Sequence, residues 1–182
     1  LANLSNDNAQ KEYYLTDIIA MCAEEGYPIA TAQPAEASEV EGVNNRMQQA
    51  TLERIYQQKQ VEALMVEGVT FRDPARVDIR GSVKVGQDVA VDVNAIFEGE
   101  VELGSNVTIE ANFIIRNSKI ADGTLIKANS VVEDANIGEA CFIGPFARIR
   151  PGSDFGEGVH IGNFVETKNT KIAKGSKANH LT

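Results

Sequence analysis

The stretch IGEACFIGPFARIRPGSDFGEGVHI, residues 137–161, decides the fold. A large apolar residue stands at every sixth position, and the set is Ile137, Ile143, Ile149, Phe155 and Ile161. A smaller residue follows each of the first four by four positions, namely Cys141, Ala147, Ser153 and Val159. Glycine often comes directly after the large residue, and it adopts corner conformations that other residues avoid. The pattern indicates short strands that each bury one large side chain between tight corners.

The six-residue period begins at Ile79 and continues to the end of the chain. It has three one-residue contractions, which separate Ile115 from Ile120, Val132 from Ile137, and Thr167 from Ile172. An antiparallel meander also alternates, but the spacing of its turns usually varies. A fixed short period over this length is typical of a solenoid. The sequence therefore predicts a parallel β-helix, although periodicity does not give its handedness.

Two other patterns precede the repeat. Apolar residues recur at helical spacing before Gly26, and they are Leu15, Ile18, Ile19 and Cys22. Residues 46–66 contain no proline or glycine, which predicts one long helix that ends before Gly68. Residues 1–45 are too few to build a domain core alone, so we expect them to be the end of an α/β unit. The long helix is then a linker to the β-helix.

Composition limits the classes of partner. The 182 residues carry a formal net charge of −9, which disfavours nucleic acid or an anionic membrane as the main partner. No apolar run approaches the ~20 residues that span a bilayer, and no signal-peptide pattern opens the sequence. Cys22 and Cys141 are far apart, which indicates reduced thiols. We therefore expect a cytoplasmic protein that binds neither nucleic acid nor membrane.

Six motifs, spread over nearly the whole chain, resemble one family. They are NAQKEYYLTD at 8–17, VEGVNNR at 40–46, RDPAR at 72–76, IGPFARIRPG at 143–152, GNFVETK at 162–168 and KGSKANHLT at 174–182. Together they resemble the bacterial bifunctional N-acetylglucosamine-1-phosphate uridyltransferase/glucosamine-1-phosphate acetyltransferase family. The resemblance implies a mainly β fold, a left-handed parallel β-helix of hexapeptide repeats with three hexads per coil, in a homotrimer.

The resemblance also implies a domain order. Residues 1–46 would be the C-terminal part of the uridyltransferase domain, a remnant of an α/β nucleotidyltransferase. Residues 47–67 would be the helical linker, and residues 68–182 the N-terminal part of the acetyltransferase β-helix.

The family's two reactions lead to UDP-N-acetylglucosamine for the cell envelope. The resemblance implies acetyl transfer from acetyl-CoA to glucosamine-1-phosphate, then uridylyl transfer from UTP to N-acetylglucosamine-1-phosphate with Mg²⁺. No glycine-rich nucleotide loop precedes Asn44, and the sequence ends two residues after His180. We therefore expect a fragment that is inactive in both reactions by itself.

Three residues match the family's acetyltransferase site. Acetylating an amine requires a base, histidine titrates near neutral pH, and His180 lies in the motif that carries the family's base. Arg150 and Lys168 match the family positions that bind the sugar phosphate, which arginine can grip bidentately. They are 18 residues apart with no contraction between them, so three hexads per coil would stack them on consecutive coils. Without the motifs, all three would be read as ordinary surface residues.

Asn44 matches the family residue that contacts the sugar nucleotide and its Mg²⁺, and an amide oxygen can ligate that ion. The alternative for Asn44 is a turn formed with Asn45. Arg148 is a weaker candidate for a second anion contact, and His160 is expected to face outward with no assigned chemistry.

Other classes fit the sequence less well. A sugar-nucleotide pyrophosphorylase with a regulatory β-helix gives no reason for the His180 motif or for the pair of Arg150 and Lys168. A β-helical carbonic anhydrase needs three histidines at zinc, and this chain has two. A non-catalytic solenoid would present a uniform outer face, whereas the outward positions here carry mixed charges.

Overall fold

The computed structural model describes residues 3–181 and divides the chain into two compact units, one ending at Gly42 and the other beginning at Val43. The first unit contains helix α1, Asp17–Glu24, and a 3-10 turn at Ala37–Glu39. Helix α1 covers the stretch in which the apolar spacing predicted a short helix. No residue from 3 to 42 is buried, so the described part of this unit has no apolar core of its own.

Helix α2, Arg46–Val66, opens the second unit. Asn45 caps it, since its side-chain oxygen accepts a hydrogen bond from the Gln48 N–H at 2.9 Å. The helix ends before Gly68, whose φ of 105° is a conformation that glycine adopts readily. Within residues 3–181, no helix is long and apolar enough to cross a membrane.

The rest of the second unit is a β-helix with three faces, built from parallel strands. Face 1 consists of β1 Thr70–Phe71, β3 Ala90–Val91, β5 Thr108–Ile109, β8 Leu125–Ile126, β11 Phe142–Ile143, β14 His160–Asn163 and β17 Lys177–His180. Two long strands, β2 Val77–Val85 and β4 Ala95–Leu103, each run across faces 2 and 3. Face 2 continues with β6 Phe113–Arg116, β9 Val131–Glu133, β12 Arg148–Ile149 and β15 Glu166–Thr167. Face 3 continues with β7 Lys119–Ile120, β10 Asn136–Ile137, β13 Asp154–Phe155 and β16 Lys171–Ile172.

Strand register confirms the solenoid predicted from the six-residue period. Ile143 pairs with Ile161 one coil later, and Ile149 pairs with Thr167, so ladder residues stack in columns. Every ladder residue from Val91 to Ile161 is buried and belongs to one continuous core. The arrangement is consistent with the left-handed sense that the family resemblance implies.

The three contractions of the ladder all occur at one corner, between face 2 and face 3. The residues on either side lie on β6 and β7, on β9 and β10, and on β15 and β16. The other two corners keep a spacing of six residues in every coil from Ile79 onward. The lost residue therefore shortens the connection between faces 2 and 3 and leaves the columns of ladder residues aligned.

From β2 onward, each corner contains a residue with positive φ, which lets the chain turn sharply. Between faces 2 and 3 these residues are Gly81, Gly99, Asn117, Asp134, Gly152 and Asn169. Between faces 3 and 1 they are Asp88, Asn106, Gly123, Ala140, Gly158 and Gly175. Between faces 1 and 2 they are Asn94, Asn112, Asn129, Phe146, Phe164 and Leu181. Glycine, asparagine and aspartate suit this conformation, and larger side chains do not.

Helix α2 covers the free edge of the first coil. Gln57 is buried, and its side-chain oxygen accepts the Ile79 N–H at 2.6 Å while its amide donates to the Ile79 carbonyl at 2.9 Å. Arg54 forms an ion pair with Asp78 on the same strand. The helix thus satisfies backbone groups that would otherwise form an open strand edge.

Candidate active site

A column of charged residues runs along the edge of face 2. It is formed by the residue that follows each buried face-2 residue, and its members are Arg80, Glu98, Arg116, Glu133, Arg150 and Lys168. Its first four members alternate in sign and form ion pairs from coil to coil. Arg80 contacts Glu98 at 2.8 Å, Arg116 contacts Glu98 as well, and Arg116 contacts Glu133 at 2.5 Å. Hydrogen bonds from Arg116 lower the pKa of Glu98 below its ordinary value.

The alternation stops at Arg150 and Lys168, which are two cations in succession. Their neighbours Ile149 and Thr167 are register partners, and the Arg150 N–H donates to the Thr167 carbonyl at 2.9 Å. Adjacent strands lie about 4.8 Å apart, so the two backbones are direct neighbours. The structure therefore brings Arg150 and Lys168 together on consecutive coils.

The partners of these cations leave an excess of positive charge. Arg150 donates to Glu166 at 2.6 Å, and both side chains are partly exposed. Lys168 is exposed and forms no ion pair with any residue from 3 to 181. Arg148 instead donates to Glu133 at 2.6 Å and so belongs to the alternating network. The pair has one carboxylate for two cations, an arrangement that favours binding of an anion.

His180 lies at the corner between faces 1 and 2. It ends β17, is exposed, and has Asn163 as its register partner on the coil below. Asn163 precedes Lys168 by five residues, which span at most about 17 Å of extended chain. The candidate base and the cations therefore lie on neighbouring coils but near opposite ends of face 2.

Asn44 lies far along the chain from these residues, just before α2. Its backbone N–H donates to the Gln48 side-chain oxygen at 2.8 Å, and the next residue, Asn45, caps the helix. Residues 3–181 contain no group of three or more histidine, cysteine, aspartate or glutamate residues that could hold a metal. Asn44 alone does not make a Mg²⁺ site.

Three contacts near the candidate site were not predicted from the sequence. Glu166 pairs with Arg150, the rings of Phe146 and Phe164 stack with centroids 5.3 Å apart, and His160 stacks on Phe142 at 4.7 Å. The 18-residue spacing of Phe146 and Phe164 could have predicted that their rings stack. The six-residue register could likewise have predicted the ion pair between Arg150 and Glu166.

The fold and the repeat define a hexapeptide-type parallel β-helix. Comparison with protein families gives a narrower result, because the model of the GMPPB C-terminal domain matches residues 79–178. The chain belongs to this family.

Curated relatives match the whole chain. It is 60% identical to a protein from Idiomarina loihiensis, 59% identical to one from Acinetobacter baumannii and 54% identical to one from Pseudoalteromonas atlantica, each over 182 residues. All three relatives are named bifunctional protein GlmU, which confirms the resemblance to a bifunctional bacterial family. The chain spans 40% of the length of each of these relatives.

Proposed function

We propose that this chain is part of a bifunctional transferase that makes UDP-N-acetylglucosamine. One site transfers acetyl from acetyl-CoA to glucosamine-1-phosphate. The other transfers uridylyl from UTP to N-acetylglucosamine-1-phosphate with Mg²⁺. The observation that carries the acetyltransferase part is the pair of Arg150 and Lys168 at the end of an otherwise alternating charge column.

The phosphate of the acceptor would bind between these two cations. Like charges on adjacent strands repel each other, and an anion between them removes that repulsion. The guanidinium of Arg150 can donate two parallel hydrogen bonds to phosphate oxygens, and Lys168 adds a compact charge. Glu166 would hold the Arg150 side chain when no phosphate is bound, through their 2.6 Å contact.

His180 would act as the general base. The acceptor amine forms a bond to the thioester carbonyl carbon and loses a proton, which the neutral imidazole accepts. The carbon–sulfur bond then breaks, and the leaving sulfur takes a proton. Histidine suits this role because its ordinary pKa lies near the pH at which the reaction takes place.

The remaining assignments follow from the family. Residues 1–46 would belong to the uridyltransferase domain, with Asn44 near the sugar nucleotide and Mg²⁺. Residues 47–67 would be the linker, and residues 68–182 the first part of the acetyltransferase domain. The active protein would be a cytoplasmic homotrimer with no nucleic-acid or membrane partner.

A direct test is the affinity for glucosamine-1-phosphate measured by titration calorimetry. Arg150→Ala should weaken binding roughly tenfold or more, because a hydrogen bond to a charged group contributes about 1.5–3 kcal/mol. Arg80→Ala is the matched control, since it removes an arginine of the same column that is already neutralised by Asp78 and Glu98. Equal losses in both variants would refute the phosphate site.

A further inference from the structure

The corner between faces 1 and 2 changes character in its last three coils. Asparagine occupies the positive-φ position three times, at Asn94, Asn112 and Asn129. The same position is then occupied by Phe146 with φ 55°, Phe164 with φ 58° and Leu181 with φ 51°. Asparagine tolerates this conformation, whereas a bulky side chain is strained in it. The two phenylalanines are therefore kept where the backbone disfavours them.

These side chains are also exposed. Phe146 is 48% exposed and Phe164 is 55% exposed, and their rings stack with an interplanar angle of 21°. Leu181 continues the column at 76% exposure. Apart from this stacking, the column is exposed and its backbone is strained, which points to contact with something outside the chain.

Two further departures from the repeat fall on the same coils. The position after the buried face-1 residue holds a charged side chain in the earlier coils, at Asp92, Glu110 and Lys127. In the next two coils it holds Gly144 and Gly162, which are buried and present no side chain. These coils also carry the like-charged Arg150 and Lys168. Three independent changes therefore coincide around strands β12 and β15.

The phenylalanines and the cations mark the two ends of these strands. Phe146 precedes Arg150 by four residues, and Phe164 precedes Lys168 by four residues, so each pair spans about 13 Å of extended chain. His180 directly precedes Leu181 and therefore lies at the phenylalanine end. The charged groups of Arg150 and Lys168 stand on long flexible stems, so a ligand shorter than this interval can contact both ends.

We propose that Phe146 and Phe164 are specificity-determining residues that contact the apolar face of the sugar ring in a bound amino-sugar phosphate. The phosphate lies at Arg150 and Lys168, the amine lies toward His180, and the carbon–hydrogen face of the ring rests against the phenylalanine pair. Apolar contact with few polar anchors is the usual composition of such sites. The inference rests on the proposed function, because the cations and His180 fix the two ends of the ligand.

The test uses Phe146→Asn and Phe164→Asn, which install the residue found at this corner in the earlier coils. Binding of glucosamine-1-phosphate and of methyl phosphate is measured by titration calorimetry, together with the melting temperature and the mass in solution. Because asparagine suits positive φ, the melting temperature should stay equal or rise. Affinity for glucosamine-1-phosphate should fall roughly tenfold, with methyl phosphate unaffected. Ala140→Asn is the matched control at another corner, where φ is 51°, and should leave both affinities unchanged.

The outcomes separate this inference from the proposed function. If both variants keep their affinity for glucosamine-1-phosphate within twofold, the phenylalanines do not contact the sugar. A loss of affinity accompanied by a change in mass would identify the column as an interface between copies and overturn the proposal. If the unaltered chain binds methyl phosphate as tightly as the sugar phosphate, the phenylalanine role fails while the cation pair stands. If it binds neither ligand, both proposals fail.

Discussion

The Gln57 side chain forms the backbone hydrogen bonds that a neighbouring strand would otherwise form. Its amide offers an acceptor and two donors, and it satisfies both backbone groups of Ile79 from a position on α2. It lies outside the apolar stripe of the helix, so the sequence pattern gave it no role. Its partner is 22 residues away in another element, and such a pairing is not visible in local periodicity.

Gln57→Leu should lower the free energy of unfolding by about 2 kcal/mol or more. The substitution leaves the buried Ile79 N–H without a partner and leaves its carbonyl with only the longer 3.4 Å hydrogen bond from Gln60. An unpaired buried group costs about 1–3 kcal/mol. Urea denaturation at neutral pH measures the change. Gln58→Leu is the control, because the Gln58 side chain is exposed and donates to Glu62 on the same helix. A similar loss in the two variants would contradict the edge-covering role.

The ladder residues, by contrast, could be predicted individually. The place of a residue in a six-residue period is a local property of the chain, so its burial can be predicted from the sequence alone. Ile143 and Ile149, for example, are both fully buried. The stacking of Arg150 on Lys168 was predicted for the same reason. The contact between Arg150 and Glu166 was not, because it depends on which way a long side chain turns.

At the scale of elements, the charge column links successive strands of face 2. Arg116 bridges Glu98 and Glu133 across three coils, and its own pKa is raised by its hydrogen bonds to Glu98 and Glu133. The alternation could be read from the sequence only once the position of the contractions was known. Those contractions all fall at the corner between faces 2 and 3, which becomes clear only when the structure shows the face to which each ladder residue belongs.

The column predicts how stability depends on acid pH. The pKa of Glu98 is lower in the folded chain than in the unfolded chain, where it is about 4.3. Its contribution is therefore present above the unfolded value and is lost as the pH falls through the folded value. Glu98→Gln should make the free energy of unfolding fall less steeply between pH 5 and about pH 3, measured by urea denaturation at several pH values.

Glu100→Gln serves as the control for this experiment. Glu100 lies on the same strand, is exposed, and forms no ion pair with any residue in the described part of the chain. It should leave the acid dependence of the unaltered chain in place. An acid profile that is identical in Glu98→Gln and in the unaltered chain would exclude a contribution from the column.

At the scale of the whole molecule, the two units differ in how much they bury. Residues 3–42 bury no side chain, whereas the second unit contains one core that extends from α2 to β14 and beyond. The sequence predicted that the first segment is too short to form its own core, and the structure agrees on that point. Regions with few buried contacts open at low free energy and are cut first by proteases.

Brief chymotrypsin treatment should therefore cleave after Tyr13 well before Tyr56. The two tyrosines are 64% and 60% exposed, so exposure alone predicts equal rates. Tyr56 lies in α2, which packs on β2, and cleavage there requires the helix to open. Mass spectrometry of the early fragments distinguishes the two sites. Equal cleavage rates would show that the first unit is as well ordered as the helix.

The alternation of charge along face 2 also restricts how many coils the β-helix can gain or lose. The gain or loss of a single coil within this column would set arginine beside arginine or glutamate beside glutamate, and like charges on adjacent strands are destabilising. A change of two coils would restore every pair. Coils within this column can therefore be duplicated or deleted without electrostatic penalty only in pairs. The column thus favours changes of an even number of coils in the β-helix.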